Sequence, residues 1–266
     1  MCARESKRSK KHKMKGMGNM DGEMQRFVDI LKESRRIVFF GGAGVSTESG
    51  IPDFRSAQGL WNEKLKIEFT PEQLVSHTCF MKYPEQFFDF YREKLIYPDA
   101  KPNACHTALA ELEKMGKLYA VVTQNIDGLH QAAGSKTVYE LHGSVLRNYC
   151  MDCNAPYDMQ FIFDTAPEIP RCPKCGGIVK PDVVLYEEPL DSEVISDAVD
   201  AIRMADTLII GGTSLVVYPA AGLIRYFGGK HLVLINKSET QADRAAELVI
   251  RRPIGEVMGE AVAALR

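Results

Sequence analysis

Ile37-Val38-Phe39-Phe40-Gly41-Gly42-Ala43-Gly44-Val45-Ser46-Thr47-Glu48-Ser49-Gly50-Ile51-Pro52-Asp53-Phe54-Arg55 is the stretch that decides the fold. Ile37 to Phe40 are four apolar residues without alternation, which suits a strand buried on both faces. The glycines that follow let the backbone turn sharply and approach a ligand closely. A helix starting near Val45 would present free N–H groups over the turn, a setting that favours a phosphate. The full dinucleotide fingerprint needs a third glycine three positions after Gly44, and that position is Thr47. Gly42-x-Gly44 alone therefore also fits an ordinary strand-to-helix turn.

Outward from this stretch, apolar runs alternate with helical patterns. Asp21 to Ser34 has helical spacing, with apolar residues at Met24, Phe27, Val28, Ile30 and Leu31. Helices are expected at Pro102–Met115 (stopped by Gly116), Asp191–Met204, Tyr218–Phe227 and Ile254–Leu265. Strands are expected at Leu118–Val122, Val138–Leu141, Leu208–Ile210, His231–Ile235 and Leu248–Ile250, with a brief apolar run at Val183–Leu185. This βα rhythm predicts an α/β protein with a doubly wound, mainly parallel sheet covered by helices on both faces. In such sheets ligands lie beyond the carboxyl ends of the strands. Four polar turns fall there and could line one crevice: Gly42–Ser46, Gln124–Asp127, Gly212–Ser214 and Asn236.

Two segments stand apart. Ser56 to Tyr97 is rich in aromatics, among them Trp61, Phe80, Phe87, Phe88 and Tyr91, and reads as short helices forming a lid-like module. An aromatic core for those helices is the plainer reading, and it holds at least in part. Cys150-x-x-Cys153 and Cys172-x-x-Cys175 are separated by eighteen residues, the spacing of a tetrahedral zinc site. Four thiolates close the shell, so the zinc is structural. Cys2, Cys79 and Cys105 read as bystanders.

Composition narrows the function classes. The 266 residues are 45% hydrophobic and 26% charged, with a net charge of -2, so the chain as a whole makes no electrostatic case for nucleic acid or membrane. No apolar run reaches bilayer length, and no apolar stretch follows the basic N-terminus as in a secretory signal. Seven cysteines, four of them in C-x-x-C pairs, argue for metal binding in a reducing compartment, and a cytoplasmic location is expected. Residues 1–19 form a Lys/Arg-rich tail, read as disordered, with at most weak contact to nucleic acid. Among the histidines, His106 reads as packed or capping and His130 as a residue that supports the site from behind or simply packs, whereas His142 stands at a strand end beside Gly143.

The chain resembles the sirtuins, NAD-dependent protein-lysine deacylases, in several blocks occurring in order. They are Gly42 to Arg55, Thr123-Gln124-Asn125-Ile126-Asp127-x-Leu129-His130, Leu141-His142-Gly143, both cysteine pairs, Lys180-Pro181-Asp182-Val183-Val184, Gly212-Thr213-Ser214-Leu215-x-Val217-x-Pro219 and Asn236. The resemblance covers all but the basic tail and is strongest to the bacterial and archaeal branch. It implies a Rossmann-like NAD-binding domain (20–55, 100–145 and 180–266) with a small domain made of a helical module (56–99) and a zinc-binding module (146–179). It implies transfer of the acetyl group of an acetyl-lysine protein or peptide to the ADP-ribose of NAD, releasing nicotinamide. By the same resemblance His142 is the catalytic base and Asn125 orients ribose or water. Ala43, Thr47, Phe54, Arg55, Gln124, Ile126, Asp127, His142, Thr213, Ser214 and Asn236 would contact NAD. Val183, Val184, Leu215, Val216 and Val217 would offer two strand-like edges between which the substrate peptide pairs.

Two positions depart from the family pattern. Tyr186-Glu187-Glu188 stands where many relatives carry Phe-Gly-Glu, which implies a bias toward basic peptides. Tyr91 is followed three residues later by Lys94, where relatives that remove succinyl or malonyl groups carry Arg, so short neutral acyl groups are expected, acetyl first. A mono-ADP-ribosyltransferase using the same cleft is the rival enzyme; His142 beside an intact Gln-Asn-Ile-Asp favours deacylation. A zinc-knuckle binding module is the non-enzymatic rival, and it leaves the polar strand-end turns unexplained.

Overall fold

The structure, a computed structural model, describes residues 21–54 and 69–266. The 1–19 tail, Arg55 and Trp61 lie outside the described residues. Among the described residues nine strands occur in chain order: β1 Ile37–Gly41, β2 Leu118–Thr123, β3 Val138–Glu140, β4 Gly143–Cys150, β5 Pro156–Tyr157, β6 Val179–Val183, β7 Thr207–Gly211, β8 His231–Ile235 and β9 Leu248–Ile250. Six of them form one sheet in the order β3-β2-β1-β7-β8-β9, with every pairing parallel. The mainly parallel, doubly wound sheet expected from the sequence is thus present. Its order reverses between β1 and β7, which is where a ligand crevice opens in folds of this kind.

The helices are α1 Gly22–Glu33, α2 Pro71–Leu74, α3 His77–Lys82, α4 Pro84–Lys94, α5 Ala104–Lys114, α6 Leu129–Ala132, α7 Met159–Asp164, α8 Ser192–Met204 and α9 Ile254–Ala263. The central strand explains the layering. All of β1 is buried, and its side chains alternate between faces. Ile37 and Phe39 pack into a core with α1, α5 and α9, while Val38 and Phe40 pack into a second core with α8. Neither face of this strand meets water, so the sequence needs no polar alternation.

Two expected helices take a tighter form. After β1 the chain makes 3-10 turns at Ala43–Val45 and Thr47–Ser49 instead of an α-helix. Five of the seven residues from Ala43 to Ser49 are Gly, Val, Ser or Thr, weak helix formers, and Gly50 ends the run at φ 85°. The segment expected to be helical over Tyr218–Phe227 is a 3-10 helix over Ala220–Tyr226. The N-terminus of α5 follows its capping chemistry: Asn103 accepts from the Cys105 N–H, and His106 Nδ1 accepts from the Asn103 N–H.

A second, three-stranded sheet, β5-β4-β6, is antiparallel. The brief apolar run expected at Val183–Leu185 meets β6 only at Val183, and Pro181 lies inside the strand. The strand is at an edge, where a missing N–H costs no ladder bond. This sheet shares one apolar core with α2, α3, α4 and α7. Phe80, Phe87, Phe88 and Tyr91 have essentially no exposed surface, and Phe87 meets Phe80 and Phe88 edge to face, each at a centroid distance of 5.1 Å. Only Leu141 and His142 separate the last residue of β3, in the large sheet, from the first of β4, in the small one. Arg147 spans the same joint, donating to Glu140 and to Asp182 at 2.7 Å each.

Candidate active site

The carboxyl ends of β1 and β7 come together through glycine. The Gly44 N–H donates to the Gly212 carbonyl at 2.8 Å, and the Gly42 N–H to the Gly211 carbonyl at 3.3 Å. A Cβ on Gly44 would stand 2.8 Å from Gly212 Cα, and one on Gly212 (φ +58°) would stand 2.4 Å from the Val45 nitrogen. Both glycines are therefore required by backbone-to-backbone approach across the switch point. The turns they form open onto a cleft of ≈ 850 Å³ between the two sheets. That volume lies toward the top of the roughly 300–1,000 Å³ range of small-molecule sites.

All four polar turns singled out in the sequence line this cleft. Ala43, Thr47, Phe54, Gln124, Asn125, Ile126, Asp127, His142, Thr213, Ser214 and Asn236 all border it. Gln124 ties two turns together: its N–H donates to the Gly41 carbonyl at 3.0 Å and its Nε2 to Thr213 Oγ1 at 3.1 Å. Asn236 extends β8, with its N–H donating to the Ile250 carbonyl and its Nδ2 to the Ser238 carbonyl. Of the proposed peptide edges, Val183, Val184 and Val217 border the cleft, Leu215 is buried in the core beneath it, and Val216 is 56% exposed. The Val184 N–H donates to the His142 carbonyl at 3.0 Å, which fixes that edge to the turn carrying His142.

The hydrogen bonds order the reactive groups. Asn125 Nδ2 donates to Ser46 Oγ at 3.0 Å, and Ser46 Oγ in turn donates to Asp127 Oδ2 at 2.6 Å. The Leu129 N–H donates to the other oxygen, Asp127 Oδ1, at 2.9 Å. This chain fixes the Asn125 amide. Ser46 links the first turn to the second, a role that spacing alone does not announce because its partners lie 79 and 81 residues away. His142 Nδ1–H donates to the Gln124 carbonyl at 2.9 Å. That bond selects the tautomer whose Nε2 carries the lone pair. Burial pushes the His142 pKa below its ordinary value, with the bond to Gln124 opposing in part. The imidazole is therefore neutral near pH 7, as a proton acceptor must be.

His106 and His130 form a buried pair behind this site, with ring centroids 4.7 Å apart. Neither His130 nitrogen nor His106 Nε2 has a hydrogen-bond partner among the described residues. Burial pushes His106 down to about 4 and His130 to about 3. Both are neutral packing groups, as expected, and His106 is also the capping one.

The four cysteine sulfurs of Cys150, Cys153, Cys172 and Cys175 lie within 4.8 Å of one another. A Zn–S bond of about 2.3 Å in a tetrahedron sets sulfurs about 3.8 Å apart. The Cys150–Cys175 and Cys153–Cys172 pairs, at 3.4 and 3.6 Å, are close to that spacing. Tyr157 Oη lies 3.0 Å from Cys172 Sγ and serves as a donor to the thiolate. The donor set fits a closed, structural zinc.

Residues 42–219 match the Sir2 family. The chain is 70% identical over 244 residues to an NAD-dependent protein deacetylase of Clostridium perfringens, spanning 91% of this chain and 100% of that protein. Among solved structures, one described under the mechanism and regulation of Sir2 enzymes is 42% identical with a TM-score of 0.83, covering 93% of this chain and 100% of that one. A Sir2 protein bound to acetylated peptide is 37% identical with a TM-score of 0.79, covering 91% and 98%.

Proposed function

The chain belongs to the Sir2 family, and from that premise we propose that it is an NAD-dependent protein deacetylase. It transfers the acetyl group of acetyl-lysine to ADP-ribose, with release of nicotinamide. The observation that carries the reading is the orientation of His142. Its Nδ1–H is engaged by Gln124, its burial keeps it neutral, and it borders the same cleft as Asn125 and Asp127.

NAD, when bound, supplies the leaving nicotinamide and the ribose that accepts the acyl group. The protein's part is positioning and proton transfer. His142 Nε2 accepts the proton of a ribose hydroxyl. Asn125, held through Ser46, orients polar groups at the reacting carbon, and being neutral it does not trap developing positive charge. Asp127 and the backbone at Ile126 form the carboxamide-binding face. Ala43, Thr47, Phe54, Thr213, Ser214 and Asn236 form the rest of the dinucleotide surface, with Phe54 screening the reacting carbon from water. Arg55 belongs to the same assignment. Val183 and Val184 on one side, and Leu215, Val216 and Val217 on the other, form the peptide-pairing edges.

The chain divides on this reading into the NAD-binding domain (20–55, 100–145 and 180–266) and the small domain (56–99 and 146–179). The thiolate site supports a cytoplasmic setting, where cysteines stay reduced. No helix among the described residues is long and apolar enough to cross a membrane. Its partners are acetyl-lysine proteins, with no nucleic acid beyond weak contact by the 1–19 tail.

Nicotinamide release, measured with and without an acetyl-lysine peptide, tests the reading. Release that requires the peptide supports it; equal NAD consumption without peptide would point to ADP-ribosyl transfer or simple hydrolysis instead.

A further inference from the structure

Glu187 stands at the mouth of the cleft with φ +77°, a conformation that favours glycine. Strain of this kind persists where surrounding contacts hold it. Here the carboxylate is held: Oε2 accepts from the Thr78 N–H at 2.8 Å and from Thr78 Oγ at 2.7 Å. Among the described residues Oε1 has no hydrogen bond and Glu187 forms no ion pair. The backbone is fixed as well. The Tyr186 N–H donates to the Val75 carbonyl, and the His77 N–H to the Tyr186 carbonyl, at 3.0 and 2.9 Å. The bonds to Thr78, helped by His77 and Lys82, keep the carboxyl below the usual range and therefore anionic. Its neighbour Glu188 differs, being paired with Lys180 at 3.2 Å and with His77 at 2.9 Å. Among the described residues, Glu187 thus presents an immobilised carboxylate whose Oε1 accepts no hydrogen bond.

We propose that Glu187 is a specificity residue that selects acyl-lysine peptides bearing Lys or Arg two to four positions from the modified lysine. The inference rests on the acetyl-lysine reading of the cleft. Glu187 is three residues beyond Val184, in the turn that follows β6 and is closed by the Glu188 N–H to the Leu185 carbonyl at 3.0 Å. It therefore stays within about 11 Å of Val184. That is the reach of two to four residues of an extended peptide at about 3.3 Å each. A peptide paired at Val184 brings side chains two to four positions away alongside the carboxylate. The arrangement also explains how a non-glycine residue is kept at this φ: the two bonds to Thr78 anchor the strained backbone and aim the charge.

The test uses the full chain and three acetyl-lysine peptides, with Lys, Ala or Glu at the flanking positions, assayed at low and high salt. The wild type is expected to favour the Lys over the Glu peptide about three- to fivefold in kcat/KM, through KM, and less so at high salt. Glu187→Gln is expected to bring the ratio near one, and Thr78→Ala, which frees the carboxylate, to lower it in part. A ratio unchanged in Glu187→Gln, with the wild type turning over the Ala peptide, overturns this inference alone. Absence of NAD-dependent turnover of every peptide by the wild type overturns the deacetylase reading and this inference with it.

Discussion

His142, the proposed base, has its tautomer chosen by a contact on the far side of its ring. With Nδ1–H given to the Gln124 carbonyl, only Nε2 can take a proton, and burial keeps that nitrogen free of one at neutral pH. The sign of the pH effect follows. In the proposed role the neutral form is the active one, and its pKa lies below the ordinary value of about 6.5, so kcat/KM should be level above that pH and fall below it. A rate profile with an acid limb centred above pH 7 would show that another group sets it. The place of His142 beside the cleft was expected from Leu141-His142-Gly143 at a strand end together with the family resemblance. Its tautomer was not, because Gln124 is 18 residues away and the bond uses a backbone carbonyl. Ser46 was passed over for the same reason: inside a glycine turn a serine looks like a turn former, and only the fold brings it to Asn125 and Asp127.

Among the elements, the glycine turn after β1 departs most from its sequence reading. The glycines were read as making room for a ligand, and the structure shows them also making room for the turn after β7. Gly44→Ala puts a methyl group 2.8 Å from backbone atoms of Gly212, which cannot rotate away. A loss of about 1–3 kcal/mol is expected, visible as a drop in Tm of several degrees. An unchanged Tm would mean the two turns separate more readily than their hydrogen bond implies. The zinc module was legible because thiolate pairs at that spacing have few other uses. Strand β4, which connects it to His142, was not read from the sequence. Its eight residues carry no clear alternation, with Leu146 and Arg147 exposed in succession. One zinc per chain is expected by metal analysis. Chelation should lower Tm and loosen β4–β6 and the aromatic core they share with α2, α3 and α4. Chelation that removes zinc without changing Tm would contradict a structural role.

For the whole molecule, a loss of stability in acid is expected from the buried imidazoles. His106 and His130 are held at about 4 and about 3, below their unfolded value, so the unfolded chain binds protons that the native chain refuses. Stability is then lost as pH falls from about 6.5 toward those values, at about 1.4 kcal/mol per pH unit for each histidine. His130→Leu removes two unpartnered buried nitrogens and should flatten the acid limb of stability in urea by roughly half, with little loss at pH 7. An acid limb unaltered in that variant would assign the sensitivity to other groups. At this scale the parallel sheet was the most legible feature, because β1, β7 and β8 are apolar runs buried on both faces. Less legible was the joint, where a two-residue link carries the proposed base between the two sheets and Arg147 braces it against Glu140 and Asp182.

Mass spectrometry of the products from NAD and an acetyl-lysine peptide, with the wild type and His142→Ala side by side, bears on all of this at once. The wild type should yield nicotinamide, free lysine peptide and O-acetyl-ADP-ribose in equal amounts, and His142→Ala should lose deacetylation by about 10²- to 10⁴-fold while remaining folded. Deacetylation undiminished in His142→Ala, or free ADP-ribose with no acetylated product from the wild type, would contradict it.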